Sequence, residues 1–190
     1  MCARYYIDRS IYGETSFLAD ETADMEMKTG DIRPSDMAPA LVSSSGGIKL
    51  CGLEWGYPGY GGKRLLINAR AETVMEKKTF RNGIASHRCV LPARWFYEWD
   101  ADKNKVAFLL PDKEMLCLAG CYDLFGGKER FAVLTTEAEG DARNVHDRMP
   151  LIIPKDRIWD WLLTDRYKDM LSAHAPLFEQ EREYEQLALW

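Results

Sequence analysis

Through the middle of the chain, apolar positions recur at every second residue. Val106, Phe108 and Leu110 share one parity, Met115, Cys117 and Ala119 form a second such run, and Pro111–Glu114 lies between them. Residues of one parity lie on one face of a strand, and a proline-bearing break joins two runs, so the pattern predicts a hairpin. The same reading predicts strands at Cys2–Ile7, Pro39–Ser43, Ile48–Trp55, Leu65–Asn68, Cys89–Trp99 and Phe131–Thr135, with a turn at Ser44–Gly47 and a Gly-rich loop at Tyr57–Lys63. Helical signals are confined to the flanks. They predict helices at Ser16–Lys28, ended by Thr29–Pro34, and at Ala71–Lys78. Two more are expected: one opened by Pro154, with Ile158, Trp161 and Leu162 on one face, and one at Tyr167–Ala173 ahead of an acidic tail. Strands in the middle and helices at the edges predict an α+β fold, with mixed or antiparallel sheets curled into an open barrel-like core and peripheral helices.

Composition changes this picture little. The 190 residues suffice for one domain with a full core, and no repeat or linker divides residues 1–190. The hydrophobic fraction of 46% and charged fraction of 29% are ordinary for a globular chain. No stretch is long and apolar enough to span a bilayer, and Met1–Arg9 lacks the apolar core of a signal peptide, so a cytoplasmic protein without membrane contact is expected. An odd count of five cysteines argues against a disulfide framework in such a compartment. Cys117 and Cys121 have no second pair or nearby histidine to complete a metal site, so Cys51, Cys89, Cys117 and Cys121 read as small core residues. The net charge of −5 counts against a broad nucleic-acid surface. Its acids gather in Asp20–Asp24 and Glu179–Glu185, whereas Arg4, Arg70, Arg81, Arg88, Arg94, Arg143 and Arg148 sit in other segments. A basic cleft on an acidic body is compatible with that layout.

Four positions carry candidate chemistry. If Met1 is removed, Cys2 presents an α-amine and a thiol on one residue. Such a 1,2-aminothiol condenses with an aldehyde, the amine forming an imine and the thiol closing a thiazolidine. Asn68 ends an apolar strand ahead of a helix; it either caps that helix or points its amide at a ligand. In the latter case Arg70 reads as a phosphate contact and Glu72 as a structural partner. Glu98 stands among aromatics in Arg94–Trp99. Buried there it would have a raised pKa and exchange protons near neutrality; on a wet strand face it would be unremarkable in chemistry. His146 lies in the polar segment Asn144–Pro150, where it either shuttles protons or serves structure. Together the four supply a nucleophile, a positioning amide and two proton carriers. No Gly-rich phosphate loop of the P-loop or dinucleotide type is present.

These segments resemble the SRAP-domain family (SOS response-associated peptidase), the abasic-site processing proteins. The resemblance spans nearly the whole chain and rests on Met1–Tyr5, Asp31–Pro34, Trp55–Gly56, Ile67–Thr73, Arg88–Pro92, Phe96–Trp99, Thr135–Ala138 and His146–Pro150, in matching order and spacing. It implies curled sheets with peripheral helices, binding to single-stranded DNA at abasic sites, and a covalent crosslink to the lesion. It further implies Cys2 as the nucleophile, Asn68 holding the reacting terminus and sugar, Glu98 transferring protons and His146 assisting at the imine. Arg4, Arg70 and Arg148 would contact phosphates or the site, Pro34 would line it and Trp55 would stack on a base. No cofactor and no metal are implied, and a monomer is expected. Three features depart from the family pattern: Glu139 where Asn is usual, Asp100 where a basic residue is frequent, and the acidic net charge. Two other function classes remain open from the residues: an N-terminal-cysteine peptidase or amidase, acting on itself or on peptides, and a non-catalytic nucleic-acid module.

Overall fold

A strand covered along its whole length needs a neighbour on each side and packing on each face. Arg88–Ala93 is buried at all six positions and lies inside the larger of two main sheets. The computed structural model describes residues 2–24, 28–62 and 64–183. In chain order its elements are β1 (Tyr5–Ile7), α1 (Arg9–Ser16), β2 (Glu21–Thr22), β3 (Gly30–Ile32), β4 (Met37–Ser44), β5 (Gly47–Trp55), β6 (Tyr57–Pro58), β7 (Leu65–Leu66), β8 (Asn68–Arg70), α2 (Lys78–Ser86), β9 (Arg88–Ala93), β10 (Trp95–Trp99), β11 (Lys105–Leu109), β12 (Leu116–Phe125), β13 (Lys128–Glu137), β14 (Arg148–Pro150), α3 (Ile158–Leu163), α4 (Tyr167–Met170) and β15 (Glu179–Glu183).

The larger sheet runs β14-β13-β12-β9-β4-β5-β2. A parallel pairing of β13 with β5, Phe131 opposite Trp55, joins its two ends, so β4, β5, β9, β12 and β13 close into a ring. The curled sheet expected from the sequence thus becomes a barrel, and the core packed on its strands includes Leu41, Leu50, Trp55, Val90, Leu91 and Phe131. Gly56, at φ +114, turns the chain out of β5 as its backbone N–H donates to Phe131 O at 2.8 Å. The second sheet runs β15-β11-β10-β1-β3, with Tyr5 opposite both Phe96 and Ile32. Helices α2 and α3 are pinned to the barrel by Arg88. Its buried guanidinium donates to the carbonyls of Ile84, Ala85, Trp161 and Leu162 and stacks 4.0 Å from the Tyr167 ring centre. The helical face Ile158, Trp161 and Leu162 is buried as the spacing requires.

Several elements differ from the sequence reading. The segment Cys89–Trp99 is two strands, one in each sheet, because the chain crosses over at Arg94. That side chain is held by Asp8, Ser10 and the Lys113 carbonyl, and its backbone N–H donates to Tyr6 O at 2.8 Å. The expected hairpin over Val106–Ala119 does not form: β11 pairs with β10 and β15, whereas β12 pairs with β9 and β13. Alternation reports which residues share a face but not which strand lies alongside. Here Asp112 and Lys113, at φ 57 and 54, turn the chain from one sheet to the other.

The first helix is Arg9–Ser16 rather than Ser16–Lys28, because Asp8 Oδ1 caps it, accepting from the backbone of Ser10 and Ile11 at 2.9 and 3.0 Å. Glu21–Thr22 instead adds a short edge strand to β5; residues 25–27 of the expected helix lie outside the described residues. Ala71–Thr73 makes only a single 3₁₀ turn, and the helix follows at α2. The acidic segment after Phe178 pairs with β11 through its backbone, which is indifferent to side-chain charge, and a charged edge strand resists further pairing. Its continuation over 184–190, like Lys63 in the Gly-rich loop, lies outside the described residues. Cys89, Cys117 and Cys121 are buried as expected, whereas Cys51 is only half-buried.

Candidate active site

Cys2 precedes β1 and is fully covered. Asn68, the first residue of β8, donates from Nδ2 to the Cys2 carbonyl oxygen at 2.9 Å. The nearby 3₁₀ turn is instead flanked by Arg70, so Asn68 is no helix cap; its amide is directed at the beginning of the chain. The Asn68 Oδ1 is buried and has no donor among the described residues. β8 is placed by parallel pairing to β13, Asn68 lying opposite Val133 and Arg70 opposite Thr135.

Glu98 lies on β10 at the same parity as Phe96, whose ring is wholly covered, and faces inward at 3% exposure. The wet-face alternative is thereby removed. Burial pushes its carboxyl up to about 7, with the positive charge of the amino terminus acting in the opposite direction. Burial raises the Cys2 thiol far above its ordinary value, and the negative charge of Glu98 raises it further. The thiol is therefore held as S–H, contacting the Arg4 carbonyl at 3.7 Å.

His146 sits at the end of the 3₁₀ turn Gly140–Asn144, two residues before β14. Its Nδ1 accepts from the Arg148 backbone N–H at 2.9 Å, which leaves the proton of the neutral ring on Nε2. Burial lowers its pKa, and the amino-terminal charge lowers it further. The neutral form dominates near pH 7, with its proton on Nε2. Arg148 reaches across to Glu72 in a two-pronged pair of 2.8 and 2.9 Å and donates to Thr135 O at 2.6 Å. The side-chain hydrogen bond from Arg148 holds the Glu72 carboxyl below its usual range.

The other expected contacts vary in availability. Arg70 is exposed. Arg4 is half-buried, 3.5 Å from Asp31 and with its guanidinium 5.2 Å from the Trp99 ring centre. Pro34 lies half-covered in the turn between β3 and β4. Trp55 corrects the sequence reading: it has no exposed surface, packs between Tyr5 and Phe131, and donates from Nε1 to Ile67 O at 2.9 Å. An indole covered on both faces cannot stack on a base. Tyr60, by contrast, is fully open to solvent in the Tyr60–Gly62 turn, which precedes β7 and Asn68 along the chain. The flanking glycines have no side chains to cover it.

The two local departures from the family pattern have structural roles. Glu139 accepts from the Ala175 backbone and contacts His174 Nδ1, both at 3.0 Å, and Asp100 accepts from Asp102 and Asn104 within its own turn. Among the described residues, no group of three or more His, Cys, Asp or Glu side chains is placed to hold a metal ion. None of their helices is long and apolar enough to cross a membrane.

The model of a family described as SOS response associated peptidase (SRAP) matches residues 1–189. The chain is 30% identical over 183 residues to the abasic site processing protein YoaM of Bacillus subtilis, covering 85% of this chain and 79% of that protein. It is 28% identical over 116 residues to the abasic site processing protein YedK of Escherichia coli, covering 57% and 52%. Among solved structures, a protein from Bordetella bronchiseptica superimposes with a TM-score of 0.78 at 23% identity over 97% of this chain and 100% of its own. A protein from Bacteroides thetaiotaomicron gives 0.74 at 21% identity, over 90% and 84%.

Proposed function

Because the chain belongs to the SOS response associated peptidase family, as its match over residues 1–189 shows, we propose that it processes abasic sites in single-stranded DNA by crosslinking them to Cys2. The observation that carries this reading is the convergence on one residue. Asn68 grips the Cys2 carbonyl, and Glu98 acts electrostatically on its thiol.

In this mechanism hydrolysis removes Met1 and frees the Cys2 α-amine. With a reference pKa of roughly 7.7–8.0, that amine is partly neutral at physiological pH. The abasic deoxyribose is mostly a ring hemiacetal. Glu98 takes the proton of the anomeric hydroxyl and delivers it to the ring oxygen O4′ as the C1′–O4′ bond breaks, and the C1′ aldehyde appears. The amine adds to C1′ and one of its protons moves to the carbonyl oxygen. With His146 donating a hydrogen bond from Nε2 to the resulting hydroxyl, the Glu98 carboxyl protonates it, water leaves, and the nitrogen returns its remaining proton to Glu98 as the imine forms. The thiol then adds across the C=N bond: sulfur bonds to C1′, and its proton passes to nitrogen through Glu98. The net change is one aldehyde and one aminothiol giving one thiazolidine and one water. The unfilled Asn68 Oδ1 suits a sugar hydroxyl. If ring closure fails, loss of a C2′ proton from the imine breaks the strand, a lyase side reaction.

A buried, protonated thiol favours this order of events over a peptidase mechanism, which needs a thiolate to attack first. The test is a denaturing gel with an abasic single-stranded oligonucleotide and, in parallel, a set of peptides. A heat-stable shifted band with intact peptides is expected; cleaved peptides and no shifted band would replace this reading with the peptidase one. Tyr60 supplies the base-stacking surface in place of Trp55. Tyr60→Ala is expected to weaken binding of single-stranded DNA by about 1–3 kcal/mol, measured by fluorescence anisotropy on an undamaged strand.

A further inference from the structure

Thr135 is flanked on both sides, by Arg70 of β8 and by Pro150 of β14. A cavity of about 330 Å³ opens at that end of β13, lined by Arg70, Arg143, Arg148, Glu137, Ala138 and Asp147. Its arginines come from three separate pieces of chain: β8, β14 and the 3₁₀ turn Gly140–Asn144. Arg70 and Arg143 are exposed and make no hydrogen bond or ion pair among the described residues. Arg148 is held by Glu72 and Thr135, yet its Nε is buried and has no acceptor among the described residues.

Charge alone does not recommend the pocket. Glu72 neutralises Arg148, and Glu137 and Asp147 stand exposed in the lining. What recommends it is a set of donors without acceptors on planar guanidinium forks, whose geometry matches phosphate oxygens. Its position identifies the occupant. Asn68 precedes Arg70 by two residues on one strand, and His146 precedes Arg148 by two residues in hydrogen-bond contact with its backbone. Both segments that reach Cys2 chemistry therefore run directly into this cavity.

We propose that Arg143 completes, with Arg70 and Arg148, a pocket for one backbone phosphodiester of the bound strand, next to the reacting sugar. This rests on the reading of single-stranded DNA as the substrate and adds to it a binding residue and a fixed register. One phosphate seated against Arg143 contributes about −0.7 to the slope of log K against log salt. The experiment measures that slope by anisotropy with an undamaged single-stranded oligonucleotide. Arg143→Ala is expected to make it shallower by about 0.7. Arg166→Ala removes the same unit of charge from an exposed side chain paired with Asp160 and is expected to leave it unchanged. An unaltered slope in Arg143→Ala, or an equal loss in Arg166→Ala, overturns the pocket. Because the strand carries no lesion, this outcome is independent of crosslinking, whose failure appears separately on the denaturing gel.

Discussion

Cys2→Ala is expected to abolish the heat-stable crosslink completely while leaving an imine that borohydride can trap. The variant keeps an α-amine once Met1 is removed, so addition to C1′ and loss of water still proceed. No sulfur remains to close the ring, and the imine either hydrolyses back or loses a C2′ proton and breaks the strand. The expected pattern on denaturing gels is therefore threefold: no stable band, a band after reduction, and more strand scission than wild type. Removal of a small buried side chain costs the fold little, on the order of 1 kcal/mol, so lost crosslinking does not reduce to unfolding. A second variant with one residue inserted between Met1 and Cys2 keeps the thiol and displaces the amine; it too is expected to give no crosslink. An undiminished stable band in Cys2→Ala would remove the thiazolidine from the mechanism.

The sequence pointed to candidate residues more readily than to strand partners. Cys2, Asn68, Glu98 and His146 could be singled out as candidates because each residue type suits a reaction role. The fold then supplied what residue types lack: the 2.9 Å contact of Asn68 with the Cys2 carbonyl and the inward face of Glu98. Strand positions were legible, from alternation in β5 and from short continuous runs in β4 and β13, and partners were not. β11 and β12 are neighbours in sequence and belong to different sheets because the aromatic partner of Phe108 is Phe96, stacked at 5.0 Å on β10. Trp55 shows the same limit for side chains. The family resemblance implied a base-stacking Trp55, but closure of the barrel between β5 and β13 covers it with Phe131. The displaced helix has a local cause. Asp8 caps Arg9–Ser16, a signal that falls between the expected strand Cys2–Ile7 and the expected helix Ser16–Lys28.

Glu98→Gln is expected to act in opposite directions on rate and on stability. Gln keeps the shape and loses the ability to accept a proton, so crosslinking at pH 7.5 slows by a factor on the order of 10²–10⁴. The wild-type rate is expected to rise with pH through an ionisation near 7, where the Glu98 carboxyl titrates, and the variant to lack that step. Stability follows the same ionisation with a definite sign. In the fold the Glu98 pKa is raised from 4.5 to about 7, so the folded state holds this proton more tightly than the unfolded chain. Its stabilising contribution is complete below 4.5 and is lost as pH rises through 7, amounting to about 3 kcal/mol by pH 8. Gln has no such loss. Urea unfolding should show the variant gaining about 3 kcal/mol on wild type between pH 5 and pH 8. A residue with only a packing role would lower stability and slow the reaction together, by amounts that do not change with pH. Faster unfolding without a pH trend, or crosslinking at the wild-type rate, would remove Glu98 from proton transfer. The buried carboxylate is thus held at an energetic cost that the fold bears above neutrality, and that cost keeps a proton acceptor beside Cys2 at the pH where its amine becomes neutral.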